Sequence, residues 1–106
     1  MLQIDIDSKR KRITPSKIIS IVSDVFGVTV GEIKGKRRTS YVALSRQVVM
    51  YLLRSELDLP LERVAREVNR EDHTTVLHAC DKIEKLKSTD PRFKDKLYKC
   101  IKGLSA

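Results

Sequence analysis

A chain of 106 residues is long enough for one compact domain around a single hydrophobic core and too short for two independently folded units. Aromatic residues make up only 5% and Trp is absent, so the core must come from Val, Ile and Leu. Lys and Arg number 22 against 14 Asp and Glu, a formal charge of +8 that points to a polyanionic partner; with no apolar run near a transmembrane span and no opening signal peptide, nucleic acid is favoured over an anionic membrane and the expected compartment is the cytoplasm.

The excess charge is clustered, with +6 in residues 1–46 and +2 in residues 47–106. Residues 1–13 contain the basic run Lys9-Arg10-Lys11-Arg12, too polar to bury much, and read as a linker or arm; the folded domain is expected over residues 14–106. Thr14-Pro15 reads as an N-cap followed by a first-turn proline, and Ile18, Ile19, Val22, Val25 and Phe26 recur at helical spacing until Gly27. One further turn is expected around residues 29–33. Then comes Lys34-Gly35-Lys36-Arg37-Arg38-Thr39-Ser40, a loop with four basic groups and no acid, closed by Thr39 or Ser40 as a cap.

The next helix is expected from about Tyr41 to Glu56, burying Val42, Val49, Leu52 and Leu53 and setting Arg46, Met50 and Arg54 along a neighbouring face at i, i+4, i+8. Behind Pro60, Leu61, Val64, Ala65 and Val68 give the i, i+3, i+4, i+7 stripe of a short helix. Only Asn69-Arg70-Glu71 separates it from another helix expected to begin at Asp72, and Asp90-Pro91 opens a last helix carrying Phe93, Leu97, Ile101 and Leu104. Two helices joined by so tight a turn, the second polar at its start, form a helix-turn-helix within an all-α domain.

Residues 72–87 have two distinct faces. With Thr75 at zero and 100° per residue, Leu86, Ala79, Ile83, Val76 and Cys80 fall between about 20° and 140°, whereas Thr74, Lys85, His78 and Lys82 fall between about 260° and 340°. The first face packs and the second is presented. Threonine methyls can pack on thymine methyls, hydroxyls can bond base edges or phosphates, and an Asp can accept from the cytosine amino group. Capping alone would also select an Asp at position 72, so both readings stay open at that residue.

Cys80 and Cys100 fall inside apolar helical patterns and are expected as buried free thiols. His73 and His78 lie about 140° apart on a helix, and no further ligand cluster joins them, so no metal site is expected. No nucleophile–base motif or phosphate-binding glycine loop occurs, so neither catalysis nor a cofactor is expected of this chain.

The segments KGKRRTSYVALSRQVVMYLLR and EDHTTVLHACDKIEKL closely resemble the C-terminal DNA-binding domain, domain IV, of the bacterial chromosomal replication initiator DnaA, and the similarity covers roughly residues 16–106. The resemblance implies a Trp-repressor-like helical bundle that binds an asymmetric DnaA box, of the type 5′-TTATNCACA, in duplex DNA at a replication origin. By position it places Arg38 in the minor groove, Asp72, His73, Thr74 and Thr75 at major-groove base edges, and Arg54 at a base from the side of the groove. Phosphate contacts are implied for Arg46, Gln47, His78 and Lys82, and for Leu61 and Glu62 through backbone amides at a helix start. The family's ATPase module is absent from the chain, so ATP is expected only there, and the rest of the initiator is an implied partner.

Two departures stand out. The family usually has a Gly-rich turn and then Arg-Asp-His-Thr-Thr; here Asn69-Arg70-Glu71 precede Asp72, an anion beside the expected phosphates, with Arg70 the nearest counter-charge. Glu62 replaces the family's Pro after Leu61, with Pro60 two residues earlier. Two other readings remain. One is a module docking a regulatory protein or acidic phospholipid through the first helix and the basic arm. The other is a dimeric repressor on a palindrome, which would need an extra exposed apolar helix; a monomer on an asymmetric box is preferred.

Overall fold

A computed structural model describes residues 13–105. The basic run Lys9–Arg12 lies outside the described residues, while Ile13 already packs against the core, one residue before the expected domain start.

Helix α1 (Pro15–Phe26) opens as its sequence demands: Thr14 accepts from the Lys17 amide at 3.1 Å, and Gly27 ends it at φ 68°, a left-handed conformation in which a Cβ would be strained. Helix α2 (Val30–Lys34) is one short turn held by a capping box. The Thr29 hydroxyl accepts from the Glu32 amide at 3.0 Å, and the Glu32 carboxylate accepts from the Thr29 amide at 2.9 Å. Then follow α3 (Ser40–Leu57), α4 (Leu61–Glu67), α5 (Thr74–Thr89) and α6 (Pro91–Ser105), and no strand occurs among the described residues. The architecture is an all-α bundle containing a helix-turn-helix formed by α4 and α5.

Helix α3 is the centre of the bundle. It packs against α1, α2, α4 and α5, and α6 closes the assembly against α1 and α5. The residues expected to be buried on α3, Val42, Val49, Leu52 and Leu53, are so, but Ser45, Arg46, Val48 and Met50 are buried as well. The neighbouring face of Arg46, Met50 and Arg54 is largely enclosed too, because four other helices surround α3, and of these three only Arg54 is half-buried. The packing faces of α5 and α6 match their stripes, with Val76, Ala79 and Ile83 buried on α5 and Phe93, Leu97, Cys100 and Leu104 on α6. Tyr51 of α3 donates to Glu84 of α5 at 2.6 Å, which fixes the second helix of the motif against the centre.

The turn between α4 and α5 is set by Asn69, which takes φ 57°; its amide returns to the Arg66 carbonyl at 3.1 Å, and the Arg70 amide to the Ala65 carbonyl at 2.8 Å. Asparagine tolerates this left-handed geometry better than most residues. Helix α5 begins at Thr74 rather than at Asp72, because Asp72 sits before the helix and caps it with its side chain. Cys100 is fully buried and Cys80 partly so; both are free, and burial raises both thiol pKa values, that of Cys100 to about 11.

The central packing predicts a sharp contrast between two leucines. Leu53→Ala, at the fully buried centre of α3, should lower unfolding free energy by about 2–5 kcal/mol. Leu77→Ala, 51% exposed on α5, should change it by no more than about 0.5 kcal/mol, as read by urea denaturation.

Candidate nucleic-acid interface

The basic loop after α2 has little regular hydrogen bonding of its own, and side chains from elsewhere define its course. Arg46, 6% exposed, donates through Nε to the Ile33 carbonyl at 2.6 Å and through Nη2 to the carbonyls of Glu32 at 2.9 Å, Gly35 at 3.1 Å and Arg37 at 3.1 Å. Burial, and then the neighbouring Arg70, pull its pKa below the usual guanidinium value. The Arg46 guanidinium, named from the family resemblance for a phosphate, is turned inward here, with Nε and Nη2 on backbone carbonyls. Arg37 is also engaged, donating to Glu32 at 3.2 Å. Lys36 and Arg38 are exposed, and neither makes a side-chain hydrogen bond or ion pair among the described residues.

At the start of α5, Asp72, His73 and Thr74 are exposed and Thr75 is half-buried. One carboxylate oxygen of Asp72, Oδ1, accepts from the Thr74 hydroxyl at 2.7 Å and from the Thr74 amide at 2.9 Å. These two bonds, the hydroxyl first, hold its carboxyl below the usual aspartate range and leave it ionised as an acceptor. The alternatives left open by the sequence are thus combined in space, because Oδ1 caps the helix while the residue stays on the exposed surface. Lys36 and Arg38 from the loop, Asn69, Arg70 and Glu71 from the turn, and Asp72 and Thr75 line one open depression of about 400 Å³.

The remaining candidates are spread around this surface. His78 and Lys82 are exposed on α5. Arg54 is half-buried, and its Nη1 donates to the Leu59 carbonyl at 2.7 Å. Gln47 is half-buried, with Oε1 enclosed and without a donor. Leu61 and Glu62 open α4, where Pro60 provides no side-chain cap for the first amides. Glu71 is exposed, and Arg70 does not neutralise it; that guanidinium bonds the carbonyls of Val68, Asn69 and Gly35 instead. Sequence reasoning passed over Lys36, Asn69 and Arg70. For Lys36 the position two residues before Arg38 was a usable signal; nothing local announced the other two. Among the described residues, no group of three or more His, Cys, Asp or Glu converges that could hold a metal ion.

A short turn between two helices, an exposed polar entrance to the second and a cationic loop beside it define a nucleic-acid-binding helix-turn-helix domain. The family profile described as "Bacterial dnaA protein helix-turn-helix" matches residues 15–83. The "Chromosomal replication initiator protein DnaA" of Crocosphaera subtropica is 47% identical over 77 residues, which cover 73% of this chain and 17% of that protein. Proteins of the same description from Lactobacillus johnsonii, 39% identical over 90 residues (85% of this chain, 20% of theirs), and Gloeothece citriformis, 39% over 82 residues (77% and 18%), are similarly related. The chain belongs to the DnaA family, as its C-terminal DNA-binding helix-turn-helix domain, and spans about a fifth of the length of the curated relatives it matches. Such a domain is a DNA-binding module.

The Asp72 cap predicts a specific acid dependence. Its folded pKa is lowered, so its contribution to stability is complete above the ordinary aspartate pKa and is lost as pH falls through the folded value. Thermal melts of the native protein and Asp72→Ala should differ fully at neutral pH and converge in acid. A difference independent of pH would contradict the ionised cap.

Proposed function

We propose that this domain recognises DnaA-box sites of the type 5′-TTATNCACA in duplex DNA at a replication origin, as part of the initiation of chromosomal replication. One observation carries the reading: Arg38 of the loop and Asp72 and Thr75 of α5 line the same depression, so one duplex can meet a cationic arm and the polar start of a helix together. A long cation on a loop suits the negative potential of a narrow minor groove, and a helix start suits the adjacent major groove. Arg38 enters the minor groove. Asp72, His73, Thr74 and Thr75 meet base edges, with the threonine methyls against thymine and the free oxygen of Asp72 available to a cytosine amino group.

Gln47, His78 and Lys82, with the first amides of α4 at Leu61 and Glu62, bond phosphates and fix the register. Arg54 reaches a base by turning from the Leu59 carbonyl or by using its remaining donors. The domain acts as a monomer, because the box is asymmetric, and in the cytoplasm at the nucleoid. ATP binding and ordered assembly belong to the rest of a full-length initiator.

His73→Ala and Thr75→Ala should each weaken binding to the box by on the order of 1–3 kcal/mol and barely affect a scrambled duplex. Titrations on both duplexes test this, and equal losses on the two would rule out base readout. Glu71→Arg, which replaces the exposed anion beside the reading helix, should tighten binding at low salt and steepen the log–log salt dependence by about one unit. An unchanged slope would place residue 71 away from the phosphates.

A further inference from the structure

The hydrogen bonds behind the basic loop give Arg46 and Arg70 a role inside the protein, separate from any contact with DNA. We propose that Arg46 and Arg70 are positioning residues, two guanidinium groups that fix the backbone of residues 32–37 and thereby hold Arg38 at a set distance from the start of α5. The proposal rests on the reading that Arg38 and α5 engage one duplex.

Beyond Lys34 the chain leaves α2, and it regains helical bonding only where the Ala43 amide meets the Thr39 carbonyl. The carbonyls of Ile33, Gly35 and Arg37 receive their donors from Arg46, and Gly35 also from Arg70, whose Nη2 lies 2.8 Å from that oxygen. The Gly35 carbonyl is therefore a shared node between α3, the loop and the turn that leads into α5. Asn69 adds a second link from that turn, its amide nitrogen donating to the Lys34 carbonyl at 3.3 Å.

The exit from α2 is sterically fixed as well, since a Cβ on Gly35 would come within 2.8 Å of the Gly31 carbonyl oxygen. Bringing two cations to one oxygen is unfavourable in itself. The planar, multi-donor guanidinium can offset that by satisfying carbonyls spread over several residues, which the single nitrogen of lysine cannot do. The span between the groove-entering arginine and the reading helix is thus set in the protein before DNA arrives, which lowers the ordering cost of binding.

The test uses the intact domain with Arg70→Gln, whose position is half-buried in the turn, and Arg46→Lys as a second variant whose folding is checked by melting. On the free proteins, amide hydrogen exchange at residues 36–39 should quicken by about tenfold or more in both, with α1 and α6 unchanged. For binding, Arg38→Ala is introduced into the native and the Arg70→Gln backgrounds and titrated against box and scrambled duplexes, the scrambled one measuring simple loss of charge. Arg38→Ala should cost roughly tenfold in box affinity in the native background and at least about threefold less beside Arg70→Gln.

Equal costs in the two backgrounds would overturn the positioning role, and unchanged loop exchange would overturn the clamp itself. If Arg38→Ala leaves native box affinity unchanged, the placement of Arg38 in a groove fails, and the exchange data alone then decide whether the clamp exists.

Discussion

The enclosure of α3 by four other helices is the constraint from which the rest of this domain follows. A helix in that position presents few surfaces to water, and so its one inward-facing charge, Arg46, must find partners inside the protein. It finds them in the carbonyls of a loop that cannot satisfy them itself. The same burial that supplies the largest share of the core from any one helix thus also shapes the irregular segment that carries the exposed cations Lys36 and Arg38.

Seen this way, the two parts of the interface are a single unit. Helix α5 is held by apolar packing on α3 and by the Tyr51–Glu84 bond, and the loop is held by Arg46 from α3 and by Arg70 and Asn69 from the turn before α5. Asn69 takes a left-handed conformation in this turn and adds a side chain that bonds the loop. Glu71 stands exposed, with the Arg70 guanidinium beside it turned onto backbone carbonyls instead.

Much of the fold could be read directly from the residues. Thr14-Pro15 and Gly27 bounded α1, the stripe of Val76, Ala79 and Ile83 gave the packed face of α5, and Asp90-Pro91 started α6, because each of these signals is local and acts through the backbone or a single face. The burial of Arg46 was not legible, because the exposure of a helix face depends on how many neighbours surround it, which periodicity does not contain. The buried Met50 one turn later was the available warning. The start of α5 was placed two residues early because an aspartate can cap from outside the helix it begins. At the candidate interface, the residues proposed to read bases were named through the DHTT motif and the family resemblance. The clamp was not, because side chains that bond backbone carbonyls 9 to 35 residues away leave no pattern in composition or spacing.

The measurement closest to the central claim is a salt series of the native domain binding a 5′-TTATNCACA duplex and a scrambled duplex of equal composition. Both affinities should fall as salt rises, with the box remaining tighter by about a thousandfold or more throughout, since phosphate contacts are common to the two and base contacts are not. Equal affinities at every salt concentration would contradict recognition by the loop and α5, and would leave only a cationic surface that binds any duplex.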